Sequence, residues 1–331
     1  MHDKITGRRQ ALAAAGILAA ALAGPAHAQN NAQNTYPNRP IKLLVGFAAG
    51  GGSDVVARLV GKALSERVGQ PVIVENRAGD GGNIASAQVA KSEPDGYTLV
   101  LMTSGHGTNA AMRKDLPFEP VKGFGWVSTI TTYPLTLAVA PSSPIKSFDD
   151  FVRRIKAEKD RYTYTSVGVG TAMHLVGEWI MAESGGSALH VPFKGGAGPM
   201  TELLAGRVDV MIDTMTNTAP LFKSQRVRLL ATTAPKGVQA LPGVPSVADT
   251  LPAVVFESWL GIAAPAGTPA DVVARLNREL RAVLDTPAVH QQLVDWGGSP
   301  KASTPDEFQA RVENDIRRLR AVVVQRNIQA E

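Results

Sequence analysis

Three glycine-rich turns hold the residues best suited to chemistry. The first is Phe47-Ala48-Ala49-Gly50-Gly51-Gly52-Ser53-Asp54. Glycines lack Cβ, so backbone N–H groups there can come close to a ligand. A helix expected to start with Ser53 or Asp54 as its cap would aim free N–H donors and its dipole at the same point. Such a place favours an anion without any charged side chain; the alternative is an ordinary tight strand–helix turn. The second turn, Thr103-Ser104-Gly105-His106-Gly107-Thr108-Asn109, reads as a loop offering hydroxyls and an amide. The third, Ser166-Val167-Gly168-Val169-Gly170-Thr171-Ala172-Met173-His174, repeats the first: glycines, a hydroxyl cap, then a helix. Two such turns in different lobes suggest a clamp closing on one acidic ligand. The turn Pro192-Phe193-Lys194-Gly195-Gly196 either brings the Lys194 cation to that clamp or leaves it solvated. Asp213 ends another strand; it either accepts from a ligand amine or hydroxyl or caps the next turn.

Catalytic constellations are poor by comparison. Gly-x-Ser-x-Gly, a Walker loop and His-Glu-x-x-His are all absent. Gly168-x-Gly170 is followed by Met173 where a dinucleotide fingerprint needs its third glycine. There is no cysteine, which excludes disulfides, thiolate metal sites, iron–sulfur clusters and a cysteine nucleophile. His106, His174, His190 and His290 are scattered unlike a metal site; His106 and His174 lie in cleft turns and suit either a ligand contact or a structural hydrogen bond. No catalytic residue, metal ligand or cofactor is expected.

The elements around these turns alternate. Ile41–Phe47 reads as a buried strand, followed by a helix with Val56, Leu59, Val60, Ala63 and Leu64 on one apolar stripe and Gly69 as its stop. Strands at 72–74 and 98–102, with a short helix at 84–90 between them, imply parallel pairing through right-handed crossovers. An extended stretch at 127–140 is interrupted by Pro134. A second series has strands at 135–140, 162–166, 188–193, 208–212 and 228–232, with helices near 148–158, 172–183 and 199–205. Ser147 and Asp150 have capping-box spacing. Thr268-Pro269-Ala270-Asp271 and Thr304-Pro305-Asp306-Glu307 read as two hydroxyl-capped helix starts.

The chain has 331 residues, 44% hydrophobic and 19% charged, which fits a folded α/β protein of about two domains and excludes a disordered or multispan chain. Its start looks like a secretory signal: Lys4, Arg8 and Arg9, an uncharged run from Ala11 to Ala23, then Ala26-His27-Ala28 with cleavage after Ala28. The run is too short for a spanning helix, which needs ~20 residues. Arg8-Arg9 leaves the twin-arginine and general export routes both open. Losing residues 1–28 removes three basic and one acidic side chain, so the net charge falls from +5 to +3. Without a basic arm or aromatic-interleaved stripe, nucleic acid is not an expected partner. An exported protein without cysteine fits a bacterial periplasm.

Several ordered motifs resemble the Bug or TctC family, the extracytoplasmic solute-binding receptors of tripartite tricarboxylate transport systems. They are Tyr36-Pro37-x-Arg39-Pro40-Ile41, the first glycine turn with Arg58 one turn on, Val74-Glu75-Asn76-Arg77-Ala78-Gly79-Asp80-Gly81-Gly82, Pro94-Asp95-Gly96-Tyr97-Thr98-Leu99, His190-Val191-Pro192-Phe193-Lys194-Gly195-Gly196, and Trp259 through Pro269. The resemblance implies a two-lobed Venus flytrap of the periplasmic binding protein kind, each lobe a mainly parallel sheet flanked by helices. Residues 1–28 would be the signal, 29–130 with 259–331 one lobe, and 131–258 the other, with hinges near Val127–Leu137 and Ser258–Ile262. It further implies that a small organic carboxylate is held by Phe47, Ala48, Ala49, Gly50, Gly51, Ser53, Asp54, Thr103 and Ser104 from one side. Ser166, Gly168, Gly170, Thr171, His174, Lys194 and Asp213 would hold it from the other. The implied partners are that ligand and membrane transporter subunits, with a monomeric receptor. A sensory role with a kinase ectodomain, or a hydrolase or lyase acting on a small acid, are the alternatives. Val167 stands where relatives carry a hydroxyl and Phe193 where many carry Tyr, so the pocket is expected to be less polar and to suit a larger, partly apolar acid.

Overall fold

A computed structural model describes residues 36–238 and 240–329. The signal segment and its cleavage site therefore lie outside the described residues. Residues 39–331 make one compact unit.

The first half begins with β1 (Ile41–Val45), which pairs in parallel with β2 (Val72–Asn76) and β3 (Thr98–Thr103). Between β1 and β2 runs α1 (Gly52–Val68), whose buried face is Val56, Val60 and Leu64, and which stops at left-handed Gly69. Its cap is Gly51, with no side-chain bond, rather than Ser53 or Asp54. The Asp54 carboxylate instead reaches back to the Gly50 amide at 2.9 Å, so the acid braces the turn from inside the helix. Helix α2 (Asn83–Ala90) connects β2 to β3. After β3 the sequence reading of a loop fails: α3 covers Gly105–Met112. Its glycines are there for packing. A Cβ on Gly107 would stand 3.5 Å from the side chain of Asp315 on the C-terminal helix. Thr108 and Asn109 both bond the Gly105 carbonyl, which closes the first turn.

Strand β4 (Phe124–Val139) runs unbroken through Pro134. From Phe124 to Pro134 it pairs antiparallel with β9 (Glu257–Pro265); from Leu135 onward it pairs with β7 (Val210–Thr214) and β8 (Arg228–Thr232). Proline has no N–H to give a ladder, so a change of partner is where a central strand tolerates it. β5 (Thr163–Ser166) pairs in parallel with β7 and with β6 (Leu189–Pro192). The order β2-β1-β3-β9-β4-β7-β5-β6, with β8 and the short β10 (Ser299–Pro300) also on β4, makes a ten-stranded sheet among the described residues. Its two halves meet only along β4.

In the second half, α4 (Phe148–Ala157) starts at Ser147, whose side chain accepts from the Asp150 amide. Helix α5 (Ala172–Ser184) starts at Thr171, α6 covers Gly198–Leu204, and α7 (Met215–Lys223) follows β7 directly. α7 escaped the sequence reading because Pro220 sits inside it. In the tail, α8 (Ala270–Leu284) is capped by Pro269 without a side-chain bond; the Thr268 hydroxyl bonds the Pro265 carbonyl instead. α9 (Pro287–Asp295) follows, and α10 (Pro305–Gln325) shows the full Thr304–Glu307 capping box.

Each half has its own core. The first contains Leu44, Val100, Trp126 and Trp259; the second contains Leu137, Phe151, Tyr164 and Trp179. Helix α10 belongs to both: Phe308, Val312 and Ile316 pack in the first core, and Leu319 with Ile328 beyond the helix packs in the second. His106 is a core residue of the first half. It stacks on Phe118 at 5.5 Å and meets Phe124 and Trp126 edge-on, with Nε2 2.6 Å from the Pro120 carbonyl. Burial pushes its pKa down to about 4. The unfolded chain would protonate it near 6.5, so between those values the unfolded state binds more protons and folding weakens as pH falls. The loss is expected to reach roughly 3 kcal/mol by pH 4. Urea titrations between pH 7 and 4 should show it, with a flatter slope in His106→Gln; equal slopes would count against this account.

Candidate functional site

Four helix N-termini converge on one small cavity. Its wall includes Ser53 at the start of α1, Ser104 and Gly105 at the start of α3, Thr171 to Met173 at the start of α5, and Thr214 just before α7. Phe47, Thr103, Val167, Tyr133 and Ser258 complete it, around an empty volume of about 290 Å³. The caps of α1, α3 and α7 (Gly51, Ser104 and Thr214) make no side-chain cap bond, so the first N–H groups of those helices remain as donors. No side chain in the wall carries a charge. The polar lining is hydroxyls and helix starts; the apolar part is Phe47, Val167 and Met173. Aligned peptide dipoles place partial positive charge at each helix start, so this is an anion site made without a cation.

Contacts across the gap close it on two sides. The Ala48 amide donates to the Lys194 carbonyl at 3.0 Å, and Ala48 and Gly195 form an isolated strand-like bridge. On the other side the Thr108 hydroxyl donates to the Gly170 carbonyl. A Cβ on Gly170, whose φ is +78°, would stand 2.1 Å from the Asn109 side chain, so only glycine fits there. A Cβ on Gly51 would stand 2.9 Å from the Gly196 amide nitrogen.

The residues singled out from sequence divide into wall and scaffold. Phe47, Ser53, Thr103, Ser104 and Thr171 line the cavity. Ala48, Ala49, Gly50 and Gly51 form the lip against Gly195 and Gly196. Asp54 is buried behind that lip and bonds Gly50, Arg58 and Asn76. Burial alone would raise its pKa, but Arg58, the Gly50 amide and Asn76 together hold it below the usual carboxylate value. Ser166 bonds Gly168 and His190 and so shapes the third turn. Gly168 supplies a φ of +140° in that turn. His174 is fully buried; its Nδ1 accepts from the Gly170 amide at 3.2 Å, which puts the ring proton on Nε2, and its ring stacks on His190 at 4.3 Å. Lys194 takes part through its carbonyl, with its side chain exposed. Asp213 caps the next turn: its carboxylate accepts from the Thr214 amide at 2.6 Å and from Asn217 at 3.0 Å, and burial raises its pKa.

Thr214, Met173, Tyr133 and Ser258 were not singled out as contacts from sequence. Thr214 follows a strand exactly as Ser53 and Thr171 follow theirs, but α7 was unrecognised, so its start was too. Tyr133 and Ser258 lie mid-strand on β4 and β9, where only the change of sheet partner exposes them to the gap. Phe193, expected to make the pocket less polar, is not in the wall, whereas Val167 is.

Comparison with known proteins agrees with this geometry. Residues 56–328 match the model of TctC, the tripartite tricarboxylate transporter family receptor. The solved structure of the periplasmic binding protein BugD is 31% identical, covers 89% of this chain and 100% of its own, and superposes with a TM-score of 0.86. MatC of Rhodopseudomonas palustris with bound malate is 30% identical, with 87% and 100% covered and a TM-score of 0.84. The R. palustris protein Rpa4515 with adipate is 32% identical, with 89% and 99% covered and a TM-score of 0.85.

Proposed function

Because this chain belongs to the TctC family of tripartite tricarboxylate transporter receptors, we propose that it holds a small organic carboxylate in the cavity between the halves of its sheet and passes it to membrane transport subunits. The convergence of four helix N-termini on an enclosed, uncharged wall carries this reading. The malate and adipate in the two R. palustris structures support the same ligand class. Contacts come from the lip Phe47–Gly51, from Ser53, Thr103 and Ser104, and from Thr171 and Thr214. Asp54, Ser166, Gly168, Gly170, His174 and Asp213 keep those groups in place, and Lys194 closes the lip.

The halves act as lobes, 29–130 with 259–331 and 131–258, hinged where β4 exchanges β9 for β7 and β8 beside Pro134. Ligand favours the closed state because only there do donors from both lobes reach it. The protein acts by binding rather than turnover, since no wall residue is a base held beside a nucleophile. It works in the periplasm as a monomer after cleavage behind Ala28.

A titration of the exported protein, with an intact mass starting at Gln29, tests this reading. Thermal shift and calorimetry over mono-, di- and tricarboxylates and aromatic acids should show saturable binding of at least one acid, unchanged on recovery, with Tm rising with ligand concentration. Turnover of a bound acid, or binding of none across the panel, would sink it.

A further inference from the structure

The cavity contains a chain of three hydroxyls that a single carboxylate does not require. Tyr133 on β4 and Ser258 on β9 are register partners, at the last pairs before β4 leaves β9. The buried Tyr133 phenol is hydrogen-bonded to Ser258. Ser258 Oγ lies 2.7 Å from Ser104 Oγ. Ser104 makes no cap bond to α3 with its side chain, and its amide is fixed by the Trp259 carbonyl at 3.0 Å. All three residues line the cavity.

A hydroxyl both donates and accepts, whereas a phenol kept protonated by burial is a dependable donor. With Tyr133 donating to Ser258 and Ser258 to Ser104, the Ser104 proton is left to point into the cavity, beside the free N–H groups of α3. Hydrogen bonds in series polarise one another and strengthen the last donor. Ser53 and Thr214, at the starts of α1 and α7, meet across a different part of the wall: a Cβ on Gly52 would stand 2.7 Å from Thr214 Oγ1. The site thus has two separate groups of donors and no carboxylate in its wall to receive an ammonium.

We propose that Tyr133, Ser258 and Ser104 form a selector for a second oxygen acceptor on the ligand, so that the receptor takes acids with an oxygen function at the far end in preference to acids ending in methyl or ammonium. This rests on the carboxylate reading above and adds to it the residues that set specificity. A buried donor left without its acceptor is costly, which is why such sites discriminate sharply.

Matched acids test it by calorimetry: butyrate, 4-aminobutyrate and succinate, hexanoate and adipate, p-toluate and terephthalate. For whichever skeleton fits, the wild type should prefer the oxygen-terminated acid at least 100-fold, with 4-aminobutyrate no better than butyrate. Tyr133→Phe, which keeps the ring, and Ser258→Ala should each cut that preference tenfold or more by weakening the oxygen-terminated acid alone. Equal weakening of both members of a pair would mean a structural role and would overturn the selector, as would an unchanged preference. If the wild type binds methyl- and oxygen-terminated acids equally, the selector fails while the carboxylate reading stands; if it binds no acid, the carboxylate reading itself fails.

Discussion

Replacing Gly51 with valine is expected to abolish ligand binding while leaving the ligand-free protein folded. The backbone at Gly51 is ordinary for any residue, with φ −87° and ψ 170°, so the substitution strains nothing locally. Its Cβ, however, would stand 2.9 Å from the Gly196 amide across the gap. The neighbouring contact from Ala48 to Lys194 then cannot form, and the donors of the second half stay out of reach of a ligand held by the first. A loss of 100-fold or more in affinity is expected, which is about 3 kcal/mol. Small-angle scattering separates closure from damage to the wall: the wild type should compact on adding a bound acid and Gly51→Val should not. A variant that binds and compacts like the wild type would refute the role given to this lip.

Trp259→Ala should produce the largest loss of stability. Trp259 is fully buried, packs edge-on to Phe308 at 5.1 Å, and donates from Nε1 to Asp315 at 2.8 Å. Deleting a large aromatic from a core costs about 3–5 kcal/mol. For a chain of this size that lowers Tm by roughly 10 °C. Burial already pushes the Asp315 pKa up against the Trp259 hydrogen bond, and the alanine variant removes that bond as well. Trp259→Phe keeps most of the packing and should lose only about 1–2 kcal/mol. Thermal melts followed by circular dichroism decide this; equal midpoints for the wild type and the alanine variant would contradict it.

Much of the architecture was legible from local signals. The apolar stripe with terminal Gly69, the Thr304 capping box and the glycines before Thr171 each mark an element through short-range chemistry, and each element is where those signals put it. The anion-binding logic was legible for the same reason: a glycine turn before a helix has the same meaning in sequence and in space. What escaped depended on long-range facts. Gly105 and Gly107 look like loop residues until α10 is known to press against them. Pro134 looks like a break until the strand is seen to change partners there. Asp54 and Asp213 stand at the right turns, yet their carboxylates are turned inward onto backbone amides, and no spacing rule shows which way a side chain faces. Tyr133 and Ser258 became visible only once two strands 125 residues apart were aligned.

The straddling C-terminal helix gives the molecule a third mechanical tie. Two strands alone would let the jaws swing on a slack pivot. Here Leu319 and Ile328 are anchored beneath the far jaw, and Arg326 is clasped to Glu183 at 2.6 Å, while Phe308 and Val312 stay rooted in the near one. Gaping wide therefore means bending that rod or prising its tip loose. The tie acts as a return spring that shortens the stroke, so a metabolite enters through brief, narrow gapes of the mouth rather than into a standing open one.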